Sequence, residues 1–195
     1  MGKKIILLIT LFAFFSVNAQ KSKREEGIKF GIKGGLNISN LKGKIENNTI
    51  RTGLNFGILT EIILTDNYSF QPELLYSGQG FRNEDPTNSS VYKFDYIIMP
   101  LLVKYYVINN LSIETGPQLG LLINSLNRSD TGNESINNQK IFDFGLDFGL
   151  GFQFSNSTFL QARYNLGITN VNGANNADAN KYTNSVFQIS IGSQF

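Results

Sequence analysis

The stretch FDFGLDFGLGFQF, residues 142–154, has Phe or Leu at every second position and Asp, Gly or Gln between them. A period of two marks a β-strand, because successive side chains on a strand point to opposite faces. One face is apolar and the other polar, so the fold turns on which face points inward. With the apolar face inside, the chain is a water-soluble barrel or sandwich. With it outside, the solvent is lipid.

The pattern recurs along the chain. Eight alternating segments are expected at 28–39, 52–64, 68–80, 92–106, 111–124, 142–154, 158–170 and 186–195. The fourth is apolar on both faces in its middle (YKFDYIIMPLLVKYY), so its phase stays open, and a bulge near Pro100 is one way to reset it. Short polar turns at 65–67, 108–110 and 155–157 alternate with longer connections at 40–51, 81–91, 127–139 and 171–183. Tight turns on one rim and long loops on the other describe an all-β, eight-stranded antiparallel up-and-down transmembrane β-barrel, with short periplasmic turns and longer extracellular loops. Pro72, Pro100 and Pro117 fall inside strands, where proline cannot donate to the ladder. Local bulges or single missing ladder bonds are expected there.

Three features place lipid outside. The segments run about 10–14 residues, long against the roughly 5–6 of an ordinary strand and enough to cross a bilayer at a tilt. Glycines such as Gly31, Gly35, Gly57, Gly116 and Gly145 sit on the polar face, where a crowded eight-stranded interior needs small residues. The N-terminus, MGKKIILLITLFAFFSVNAQ, has a Lys3-Lys4 basic start, an apolar run and a small-residue cleavage site before Gln20. It reads as a signal peptide over 1–19. A short periplasmic lead-in, 20–27, then precedes the barrel, 28–195. The rival arrangement, a secreted lipocalin-like barrel with an apolar ligand cavity, would expose the Gly, Asp and Gln residues on its convex side.

With lipid outside, the polar face lines the lumen. Lys29, Lys33 and Arg163 then face Glu61, Glu73, Glu114, Asp143 and Asp147, with Lys104 joining them if the fourth strand has the right phase. Isolated buried charges are costly, so these groups must pair. The partners expected for the two aspartates are Arg163 on the next strand or the lysines of the first. Such a structural network closes the lumen and argues against the alternative of a small porin-type passive channel.

Catalytic and cofactor chemistry find little foothold. The chain has no Cys and no His, which excludes thiolate and imidazole metal ligands and every nucleophile–His dyad. Asp143 and Asp147 lie about 13 Å apart along one strand face, too far for a shared-proton pair. Gly145, Gly149 and Gly151 lie in a strand with no following helix, unlike a phosphate loop. No cofactor, no metal and no enzymatic activity are therefore expected. The chain has 17 Lys and Arg against 15 Asp and Glu, and removing Lys3 and Lys4 with the signal leaves it formally neutral, so no nucleic-acid partner is inferred. The last strand carries Phe187, Ile189 and Ile191 and ends on Phe195. A terminal aromatic of this kind resembles the signal read by the outer-membrane barrel-assembly machinery, the partner expected during biogenesis.

Several stretches together resemble the PorT-like outer-membrane β-barrel family of Gram-negative bacteria: GIKGGLNISNL, FQPELLYSGQG, IMPLLVKYY, LSIETGPQLGLLI, DFGLDFGLGFQF, RYNLGITNV and SVFQISIGSQF. They follow in order through nearly the whole mature chain. The resemblance implies a cell outer-membrane barrel in lipid, with a structural or interaction role, accessory to a secretion apparatus. It supplies no catalytic motif. The extracellular loops are the expected surface for a protein partner.

Overall fold

The computed structural model describes residues 27–43, 48–85, 88–129, 132–136, 139–155, 157–171 and 182–195. The expected signal peptide and nearly all of the lead-in lie outside the described residues. Among the described residues nine strands follow in order: β1 (Gly27–Lys42), β2 (Asn48–Ile63), β3 (Tyr68–Asp85), β4 (Asn88–Ile108), β5 (Leu111–Ser129), β6 (Gly132–Ser135), β7 (Phe142–Gln153), β8 (Thr158–Gly167) and β9 (Thr183–Gln194). All pair antiparallel, and eight of them close a ring β1-β2-β3-β4-β5-β7-β8-β9 through the β4–β5 and β1–β9 ladders. The ends of the chain close the seam, where Phe195 and Phe30 exchange two backbone hydrogen bonds of 2.8 and 3.1 Å.

The ninth strand is a difference from the expected eight. β6 lies inside the expected 127–139 loop and folds back onto the end of β5, pairing Asn127 with Glu134. The expected loop at 81–91 is mostly strand. β3 and β4 continue as a long hairpin and pair from Tyr68↔Tyr105 to Asp85↔Asn88. With β5 they stand taller at the long-loop end than β7 or β8.

Apolar side chains lie outside and polar ones inside. Phe142, Phe148 and Ile113 are 74%, 51% and 50% exposed, while Glu61, Asp147 and Asn37 are 0% exposed. In water this would be an inverted protein. In lipid it is the arrangement that pairs the backbone within a closed sheet and keeps charges out of hydrocarbon. Stacked, tilted or edge-on aromatic pairs flank the apolar band. Tyr68–Tyr105 and Phe152–Phe154 lie toward the short turns and Phe56–Tyr76 toward the long loops, where interfacial aromatics belong.

The phase of the fourth strand is settled by closure. Phe94, Tyr96, Ile98, Leu102, Lys104 and Tyr106 are buried inside, and Met99, Val103, Tyr105 and Val107 face out. The register irregularities of β4 against β5 fall at Asp95/Tyr96 and Tyr106/Ile108 rather than at Pro100. The prolines leave gaps instead of bulges. Pairing skips from Pro72↔Leu101 to Leu75↔Ile98, and from Pro100↔Gln118 to Val103↔Thr115, with no shift in register. Of the two outcomes expected, missing ladder bonds is the one found.

Candidate functional site

The inward residues of the short-turn half of the barrel form one charged cluster. Arg163 of β8 donates two hydrogen bonds to Glu73 of β3, at 2.8 and 3.0 Å. The same guanidinium lies 3.7 Å from Asp147 and 3.9 Å from Glu114. Lys33 of β1 reaches Glu73 at 2.7 Å and donates to Gln161 at 2.5 Å. Lys104 of β4 lies 3.4 Å from Glu114 and 3.8 Å from Glu61 and donates to Gln71 at 3.0 Å. Glu61 also accepts from Tyr106 at 2.6 Å and from Gln194 at 2.8 Å. Gln161 donates to Glu114, and Gln71 donates to Glu73 at 2.7 Å. Every charged member is at least nine-tenths buried. A bidentate Arg–carboxylate pair is the strongest arrangement of this kind, and the amides satisfy lone pairs that ion pairing alone leaves open.

Lys33, Glu61, Glu73, Glu114, Asp147 and Arg163 meet in this cluster. Two residues do not join them. Asp143 sits higher in the lumen, where it accepts from Asn184 at 2.7 Å; its other oxygen has no hydrogen-bond partner among the described residues. Of the two aspartates, Asp147 is the one within ion-pair distance of Arg163 among the described residues. The four-residue offset along β7 carries Asp143 a full two rungs beyond the cluster. Lys29 is half-buried near the short-turn rim, opposite Glu61 in the β1–β2 register, and none of the ion pairs among the described residues includes it. Lys104 moves the other way and becomes a central member once the phase of β4 is known. Nothing in the sequence marks the glutamines as bridges between the charges, although Gln71 and Gln161 each lie two residues before a charged lumen position, on the same strand face.

Above the charged cluster the lumen changes character. Asn37, Asn55, Ser77 and Ser190 form a neutral hydrogen-bonded layer, with links of 2.8–2.9 Å. Beyond it, Leu41, Leu75, Phe81, Phe94, Tyr96, Ile98 and Val171 pack into an apolar core at the long-loop end. Phe81 stacks on Tyr92 at 4.5 Å. Among the described residues, side chains of three different kinds thus follow one another along the interior.

On β9, Phe187, Ile189 and Ile191 face outward at 39%, 45% and 59% exposure, and Phe195 is the most exposed of the four. They present one apolar ribbon beside the β1–β9 seam.

The family model described as outer membrane protein beta-barrel domain matches residues 18–173. Among solved structures, the chain is similar to Neisserial surface protein A, NspA, with 15% identity and a TM-score of 0.57, covering 87% of this chain and 100% of that one. It is also similar to Ail, the attachment invasion locus protein of Yersinia pestis, with 14% identity and a TM-score of 0.51, covering 88% and 100%. At these identities the likeness concerns the fold. A search of curated proteins found no match.

Proposed function

The chain belongs to the outer membrane protein β-barrel domain family and is a small barrel of the cell outer membrane; on that premise we propose that it is a closed barrel with a structural or interaction role rather than a conduit. The observation that carries this reading is the filled lumen: the ion-paired cluster around Arg163 and Glu73 in one half and the apolar core around Phe81 and Phe94 in the other. A permeant solute would have to break buried ion pairs and then displace packed aromatics. The long loops, placed outside the cell, form the surface offered to a protein partner, and the PorT-like resemblance points to a secretion apparatus as its setting. The signal peptide delivers the chain across the inner membrane, and the β9 ribbon ending on Phe195 serves as the assembly-machinery signal.

Planar-bilayer recording of the refolded protein tests the closed lumen. The expected trace is silent. Stable openings of reproducible size would overturn it in favour of a small porin-type channel. Crosslinking in native membranes followed by co-purification tests the partner: recovery of a partner through loop residues is expected, and repeated recovery of the barrel alone would remove the interaction role.

A further inference from the structure

The outer wall carries a basic cluster that the lumen network does not use. On the face of β3, β4 and β5 that points away from the barrel axis, three rungs follow one another above the apolar band. Gly78, Asp95 and Asn124 form the first rung, Gly80, Lys93 and Leu126 the second, and Arg82, Val91 and Arg128 the third. Arg51 of β2 reaches the same place, donating to the carbonyl of Gln79, and lies within electrostatic range of Asp95, Tyr76 and Arg82. Lys93 lies within range of Arg128, Arg51 and Asp95. Arg51 and Lys93 therefore share one carboxylate, Asp95, with Arg82 and Arg128 beside them. Asp95 is itself engaged by Asn124 at 2.9 Å and by the Tyr76 hydroxyl. Glu84, further up the same face, accepts from Thr49. Among the described residues, none of the four cations closes an ion pair with a carboxylate. Four like charges with a single carboxylate among them repel, so the arrangement favours an anion.

The wall directly beneath narrows the class of anion. Ile97, Met99, Leu119, Leu121, Phe142 and Phe144 line a groove of about 950 Å³ in the outer wall, with Lys140 and the buried Asp143 also in its lining. The Phe56–Tyr76 stack stands beside it at the level where the apolar band ends. A molecule whose chain lies in that groove has its headgroup at the height of Lys93 and Arg128.

We propose that this site binds a lipid with an anionic phosphate headgroup, its acyl chain in the groove and its phosphate among Arg51, Arg82, Lys93 and Arg128. Charge complementarity fixes the headgroup, and continuity with the lipid-facing wall fixes the chain. The proposal depends on apolar residues facing lipid and is independent of whether the lumen conducts.

The chain has no Trp, so M99W provides a single reporter inside the groove. The protein is reconstituted in phosphatidylcholine vesicles containing a minor fraction of phosphatidylglycerol with brominated acyl chains. Quenching is compared with the same fraction of brominated phosphatidylcholine. Stronger quenching by phosphatidylglycerol is expected. K93Q and R128Q should each lower that preference about fivefold, the effect of one cation at a membrane surface. K42Q, whose lysine sits over the Tyr164 ring on the opposite side of the barrel, should leave it within about twofold. Equal quenching by the two lipids, or an equal fall in K42Q, would overturn the proposal, the latter by reducing it to general charge attraction. Inorganic phosphate should not relieve the quenching. If it does, the cluster is a free-anion site and the lipid assignment fails.

Discussion

Arg163→Met removes the guanidinium at the centre of the lumen while keeping a side chain of similar reach. Glu73 loses a bidentate partner at 2.8 and 3.0 Å but keeps Lys33 at 2.7 Å and Gln71 at 2.7 Å. Glu114 keeps Lys104 at 3.4 Å. The loss falls hardest on Asp147, for which Arg163 at 3.7 Å is the cation among the described residues and Asn165 the remaining donor. Breaking a buried pair by deleting one partner costs about 3–5 kcal/mol, because the other charge stays buried. Removing both charges costs less than the sum. E73Q combined with R163M should recover about 1–3 kcal/mol relative to additivity. Arg163→Lys keeps the charge but loses the planar fork, and should fall between parent and R163M. The assay is equilibrium urea unfolding in lipid vesicles, followed by far-ultraviolet circular dichroism and by the heat-dependent gel shift of the folded barrel. An R163M protein within about 0.5 kcal/mol of the parent would refute the reasoning. Strict additivity of E73Q and R163M would show that the two residues act independently.

Three further perturbations probe the wall, the seam and the glycines. Phe148→Arg, in the middle of the lipid-facing side of β7, should destabilise by about 2–4 kcal/mol in bilayers, whereas Phe154→Arg at the short-turn rim should cost about 0–1 kcal/mol; equal costs in vesicle unfolding would contradict the depth of the band. An added Cβ at Gly35 would overlap the carbonyl of Ile189 on the neighbouring strand. Gly35→Ala should therefore cost at least about 1–3 kcal/mol in the same unfolding measurement, and a neutral result would mean that the seam is looser than its register implies. Deleting Phe195 removes its hydrogen bonds to Phe30 at the ring closure. Refolding in detergent should survive, while the amount reaching the outer membrane in cells should drop severalfold on fractionation and immunoblotting. Unchanged membrane levels would discount the assembly signal.

Much of the fold is legible in the sequence because a strand's two faces are written in its residues. Ile28, Phe30 and Ile32 against Lys29, Gly31 and Lys33 need no partner to reveal two faces. Where that grammar lapses, so does the reading. The middle of β4 has apolar residues on both sides because it supplies both the lipid wall, through Met99 and Val103, and the internal apolar core, through Phe94 and Ile98. Alternation cannot tell these two apolar environments apart. The rungs above the membrane were hidden for a related reason: 81–91 looks like a polar loop, yet β3 and β4 remain paired almost to its tip.

By itself the sequence determined the antiparallel alternation, the eight strands of the ring, and the short and long rims. Those follow from local periodicity and turn chemistry. It could not determine which inward charges meet. Arg163 and Glu73 stand 90 residues apart and touch only because ring closure sets β3 across the lumen from β8. Asp147 rather than Asp143 joins them because register fixes the height of each residue in the barrel, and Lys104 joins because closure fixes the phase of β4. Pairing inside a barrel is set by strand stagger and the diameter of the ring, which are properties of the closed sheet as a whole and of no strand alone.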